Sequence, residues 1–130
     1  VCVAAISSIT IAQFLGATVE TQLSLAPKSV TAPVAMAISE QIGGLPSLTA
    51  VLVVVTGILG AIFGTKILSL INIKDDSIKG IAMGITAHGI GTARAFQVSS
   101  EMGAFSGLAM AMATFTTAFI LPYLVQWLGM

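Results

Sequence analysis

The chain has 130 residues, 56% hydrophobic and 8% charged, with a formal net charge of zero and a mean hydropathy of +1.04. A soluble domain carries about 25% charged residues, so the composition is that of a membrane protein, and zero net charge gives no electrostatic basis for binding nucleic acid. Its single cysteine, Cys2, excludes a disulfide framework or a cysteine metal site within the chain.

The sequence opens on Val1 inside an apolar run, with neither an initiator Met nor the basic region of a secretory signal. It is expected to be a fragment of a longer protein, forming a single membrane domain over residues 1–130. Residues 1 to 19 are uncharged and read as a first span. A polar passage from Thr18 to Ser29 follows. Helical character then runs from Pro33 to Gln41: proline is tolerated in a first turn, Ser29 or Thr31 is placed to cap, and Gly43-Gly44 ends the segment. This piece is too short to cross a bilayer.

Residues 41 to 65 carry no charge, more than the roughly 20 residues a crossing needs, and a span is expected from Pro46 to Ile71. Gly57, Gly60 and Gly64 recur on one face of it, a small-residue stripe that lets another helix backbone approach closely. Lys66, Lys74 and Lys79 then supply three of the five basic residues, which under the positive-inside rule favours the cytoplasmic side for the loop after this span without fixing the orientation. Residues 78 to 87 read as a half-helix with Gly80, Gly84 and His88 on one face, broken by His-Gly-Ile-Gly at 88 to 91. A second half-helix is expected from Thr92 to Glu101, ended by Gly103. The last span runs from Phe105 to Trp127 in a stretch, 102 to 130, without charge. Ala109, Ala113 and Thr117 form its small-residue stripe, and Tyr123 and Trp127 stand where an interfacial aromatic belt would lie.

Residues 31 to 40 match residues 92 to 101 at four of ten positions: Thr31-Ala32 with Thr92-Ala93, and Ser39-Glu40 with Ser100-Glu101. The order of elements repeats as well. The expected fold is therefore all-α, a multi-pass transmembrane helical protein with two internal repeats, at about 18–72 and 78–128. Each repeat is a broken or re-entrant half-helix followed by a full span. A segment that dips in and returns makes the copies inverted; one that passes through makes them parallel. Either way, polar backbone at membrane depth must be buried in protein or line water.

A helix start presents unpaired N–H groups and a partial positive charge, so two such starts form a candidate anion site. The first offers Lys28, Ser29 and Thr31; the second offers His88, the backbone of Gly89 and Gly91, Thr92 and Arg94. Arg94 has two readings, a bidentate grip on a carboxylate or an ion pair with Glu101 or Glu40. His88 either binds substrate or moves a proton near neutrality, or is an imidazole hydrogen-bonded between helices. Glu40 and Glu101 are candidates for proton coupling, or else helix-end residues at the water surface. Lys28 is a ligand or an interfacial lysine, and Ser39 and Ser100 read as helix-packing hydroxyls. No enzyme pattern is present, neither metal spacing, nor a phosphate loop, nor a nucleophile elbow, so no catalytic activity, metal or cofactor is expected.

The stretches KSVTAPVAMAISEQIGGLPSLTAVLVVVTGILGAIFG and GIAMGITAHGIGTARAFQVSSEMGAFSGLAMA resemble the LrgB/CidB family of bacterial membrane proteins over roughly residues 20 to 125. The resemblance implies a location in the bacterial inner membrane, with the chain as the C-terminal part of a longer protein. It also implies one of two functions. One is antiholin-like control of murein hydrolase export and autolysis with a small LrgA/CidA-like membrane partner. The other, shared with a plastid glycolate/glycerate carrier, is movement of small carboxylates. The anion site drawn from the residues agrees with the second. The expected function is therefore a monocarboxylate carrier of the pyruvate, glycolate or glycerate type, with Arg94 and Lys28 as counter-charges, Thr31 and Thr92 orienting the substrate, and autolysis control as the alternative. A homo-oligomer is expected.

Overall fold

A computed structural model describes residues 1–129. Six helices account for most of them: α1 (Cys2–Phe14), α2 (Val19–Leu25), α3 (Ala32–Ile42), α4 (Pro46–Leu70), α5 (Asp76–Val98) and α6 (Ser100–Trp127). No strand occurs among the described residues.

The two long helices explain themselves by what surrounds them. In α4 only 17% of the most apolar window of residues is buried, and in α6 only 28%. A long helix in the core of a soluble protein is mostly buried, whereas here Val54, Ile58, Ile62, Phe63, Phe115 and Phe119 lie exposed. Both helices are long and apolar enough to cross a membrane, and a surface of this kind needs an apolar surrounding.

The segment read from the sequence as a first span forms helix α1, 13 residues within the chain, which stops at Leu15 before Gly16, whose φ of 75° only glycine adopts freely. Thr18 then caps α2 by accepting from the Thr21 N–H, and Gln22 reaches back to the Ala17 carbonyl at 2.8 Å. Helix α3 follows the expected course: Pro33 lies in its first turn and Gly43 ends it at φ 87°, with the Gly44 N–H bonded to the Ser39 carbonyl at 2.8 Å. Thr31 occupies the capping position but makes no side-chain cap bond.

Helix α5 starts two residues earlier than expected, capped by Asp75, whose carboxylate accepts from the Ser77 and Ile78 N–H groups. It is broken, but not by the glycines: His88 alone leaves helical geometry, at φ 41° and ψ −134°, so α5 consists of two legs, 76–87 and 89–98. The second leg also ends earlier. Ser99 is extended, and α6 begins at Ser100 and runs straight through Gly103. Gly103 is small for another reason, since a Cβ there would overlap the Phe96 ring.

The chain forms two compact units, one of Val1–Val53 with the residues from Thr114 onward, the other Val54–Ala113. The first has an apolar core that includes Ile9, Leu23, Val30, Ile38, Val53 and Leu121. Beside it lies a buried hydroxyl cluster: Thr49 Oγ1 sits 3.0 Å from the Ser24 carbonyl and 2.7 Å from Ser39 Oγ, and the Leu45 N–H donates to Ser24 Oγ at 2.8 Å. The second unit is packed through glycines. A Cβ at Gly57 would come within 2.6 Å of the His88 ring, and one at Gly60 or Gly64 would overlap Ala87 or Met83. On the other side of the first leg, Gly80 and Gly84 lie against the α6 backbone at Met102 and Ser106. The stripe at Ala109, Ala113 and Thr117 is likewise buried.

Candidate functional site

The expected anion site divides between the two units: Lys28, Ser29 and Thr31 belong to the first, and His88, Gly89, Gly91, Thr92 and Arg94 to the second. Each group is best understood within its own unit.

In the first, Lys28 follows α2 in a run of turns and is half-buried. Its ammonium donates to Ser8 Oγ on α1 at 2.8 Å, and the pocket around it is mostly apolar, lined by Ile11, Ala12, Leu15 and Leu25. Burial lowers the pKa of this lysine from its ordinary value. Ser29 and Thr31 are half-buried. Glu40 is exposed at the end of α3, and Glu101 is exposed in the first turn of α6; both are helix-end carboxylates in the present conformation.

In the second unit the chemistry concentrates at the break in α5. His88 is 4% exposed, with its ring packed on the flat surface left by Gly57. Its carbonyl accepts from Thr92 Oγ1 at 2.8 Å, and Ser106 Oγ lies 2.9 Å from the same threonine oxygen. With the Thr92 proton committed to the carbonyl, Ser106 donates to Thr92. The broken turn thus keeps a hydrogen-bond partner for the His88 carbonyl, as burial of a polar group demands. Gly91 is buried and Gly89 exposed, and a Cβ at Gly89 would meet nothing within 4 Å.

Arg94 is exposed. It donates through Nη1 to Gln97 Oε1 at 2.9 Å, three residues along its own leg, rather than pairing with Glu101. The salt bridge among the described residues is Lys79 to Asp76 at 3.3 Å. Of the two serines read as packing hydroxyls, Ser39 is buried in the Thr49 cluster, whereas Ser100 is exposed at the start of α6. The copies of the repeated motif therefore differ in local role.

Several polar residues that sequence reasoning passed over carry these arrangements. Ser106, Ser24 and Thr49 are fully buried; the only signal of Ser106 and Thr49 was a hydroxyl inside an otherwise uncharged stretch. Asp76 and Ser99 are a second pair, with Ser99 Oγ donating to Asp76 Oδ2 at 2.7 Å. That hydrogen bond, followed by the one from Lys79, holds the Asp76 carboxyl below the usual aspartate value. Asp75 is lowered too, first by the Ser77 hydroxyl and then by the Ile78 N–H.

Together these features define an all-helical protein with two bilayer-suited helices packed through glycine stripes onto a broken helix, whose turning residue is a buried histidine. The chain belongs to the LrgB-like family, whose model it matches over residues 1–127. It is 39% identical over 127 residues to the uncharacterized protein YwbG of Bacillus subtilis, covering 98% of this chain and 56% of that protein. It is also 30% identical over 113 residues to the holin-like protein CidB of Staphylococcus epidermidis, covering 87% of this chain and 49% of CidB. A match to the holin-like protein CidB of Staphylococcus aureus is 31% identical over 103 residues, 79% of this chain and 45% of CidB. The chain thus spans about half the length of the curated relatives it matches. No solved structure matches it.

Proposed function

We propose that this chain is a membrane-embedded part of a holin-like protein that sits as a multi-pass component of the bacterial cytoplasmic membrane and controls murein hydrolase release and autolysis. The observation that carries this reading is the family match over residues 1–127 together with relatives named holin-like CidB. The exposed apolar faces of α4 and α6 support a place in the bilayer. In this reading the chain catalyses no covalent step. It works with copies of itself and with a small LrgA/CidA-like membrane subunit. Deletion of the full-length gene should change extracellular hydrolase activity on zymograms and the rate of lysis, and the change should require the small subunit. Unchanged hydrolase release in the deletion strain would overturn the reading.

One observation favours a second reading, a carrier for small monocarboxylates. Helix α5 restarts at Gly89 after the His88 break, and a restarted helix presents N–H groups and positive partial charge suited to a carboxylate. His88, Gly89, Gly91 and Thr92 would contact the anion, with Arg94 as a further contributor and Glu101 as a coupling carboxylate. Full-length protein in liposomes should then take up labelled pyruvate or glycolate saturably, and Arg94→Gln should abolish uptake without loss of insertion. Hydrolase release that depends on the protein while liposomes show no uptake decides for the first reading.

A further inference from the structure

Helix α5 has 23 residues, enough for about 34 Å if straight and hence enough to cross a bilayer core of about 30 Å. Its contacts with α6 are incompatible with a straight course. In the first leg, Gly80 faces Met102 and Gly84 faces Ser106 and Met110, so this leg and α6 advance in the same direction. In the second leg the order reverses: Thr92 is bonded to Ser106, and Phe96 lies against Gly103. One leg runs parallel to α6 and the other antiparallel to it, so the legs run antiparallel to each other. Three further contacts agree. Gly91 lies against Ala87 and the Met83 carbonyl, eight residues back, where an unbroken helix would put about 12 Å between them. The Ser99 hydroxyl closes on the Asp76 carboxylate at 2.7 Å, joining the two ends of α5. Along α4, the partners of Gly57, Gly60 and Gly64 are His88, Ala87 and Met83 in turn, so the first leg climbs α4 from its C-terminal end and turns beside Gly57, near the middle of that helix.

We infer that α5 is a re-entrant hairpin: it enters the bilayer from the face carrying Lys66, Lys74 and Lys79, turns at His88 at mid-membrane depth, and leaves by the same face, latched at its mouth by Asp76 and Ser99. The inference rests on α4 being a membrane span. Such an element keeps irregular backbone at depth only where protein encloses it or water reaches it. His88 is enclosed by protein, at 4% exposure.

The test is sidedness of labelling in full-length protein in which every cysteine, Cys2 included, has been replaced by serine. Lys74→Cys, Glu101→Cys and Ser47→Cys place single thiols at exposed positions before α5, after α5 and near the N-terminal end of α4. In right-side-out and inverted vesicles treated with a membrane-impermeant maleimide, Lys74→Cys and Glu101→Cys should react from one face and Ser47→Cys from the other. Reaction of the first two from opposite faces overturns the hairpin. Reaction of Ser47→Cys and Lys74→Cys from the same face overturns α4 as a span, a different failure. A second measurement uses oxidation of the double variant Asp76→Cys/Ser99→Cys: a disulfide found by mass spectrometry in most of the protein is expected, and its absence contradicts the closed mouth.

Discussion

At the scale of single residues, the glycines separate by what stands opposite them. Gly57 faces the His88 ring and the end of Ile90, whereas Gly89 faces open space. Gly57→Ala should therefore destabilise the protein by about 1–3 kcal/mol, the usual cost of overpacking. Gly89→Ala should fall between neutral and about 1 kcal/mol stabilising, because alanine is the better helix former. Thermal unfolding in detergent checks both. His88 poses the opposite problem, a side chain on a backbone that suits glycine: its φ of 41° and ψ of −134° belong to a region costing a non-glycine residue about 1–3 kcal/mol. Both His88→Gly and His88→Ala lose the ring packing, but only the alanine variant keeps the strain. The glycine variant should be the more stable of the two by roughly that amount, and equal melting points would refute the strain. The positions of the glycine stripes were legible in the sequence, because helical spacing alone marks Gly57, Gly60, Gly64, Gly80 and Gly84. The turning residue was not, since local propensity favours Gly89 or Gly91, whereas the imidazole of His88 packs on Gly57, far away in sequence.

At the scale of elements, α5 and α6 are held at their junction by a latch that acid should open. The Asp76 carboxyl titrates below its ordinary value of 3.8, mainly because Ser99 donates to it. A carboxyl whose folded pKa is depressed contributes stability that is present above the unfolded value and is lost as pH falls through the folded one. Amide exchange around residues 98–103, corrected for intrinsic rates, should thus be flat from neutral pH to about 5 and rise below the ordinary aspartate range. Asp76→Asn, which cannot carry the charge, should remove that rise. The end of the second leg was misread from sequence for a physical reason. Gly103 has the look of a helix stop, yet it is small to seat Phe96, and the actual stop lies at Ser99, whose hydroxyl accepts from the Met102 N–H at the start of α6 and donates to Asp76, 23 positions away. The end of α3 had no such long-range dependence, and Gly43 with its left-handed φ ends the helix where the sequence places it.

At the scale of the whole molecule, composition already implied helices in an apolar surrounding, and α4 and α6 have the length, the absence of charge and the exposed apolar faces that this requires. The partition of the expected site residues between two compact units was not legible, because a repeated motif says nothing about which copy packs with which neighbours. The α5 hairpin is kept tightly against α6, so a wedge between the two should matter more than a change at the exposed tip. Valine at Gly84 would press on the Ser106 backbone, whereas alanine at Gly89 meets nothing. The most direct measurement is complementation of a deletion strain with full-length protein at equal membrane levels, read as extracellular murein hydrolase activity. The account predicts that wild type and Gly89→Ala restore the parental hydrolase profile and that Gly84→Val does not. Full restoration by Gly84→Val, or no deletion effect to restore, would contradict it.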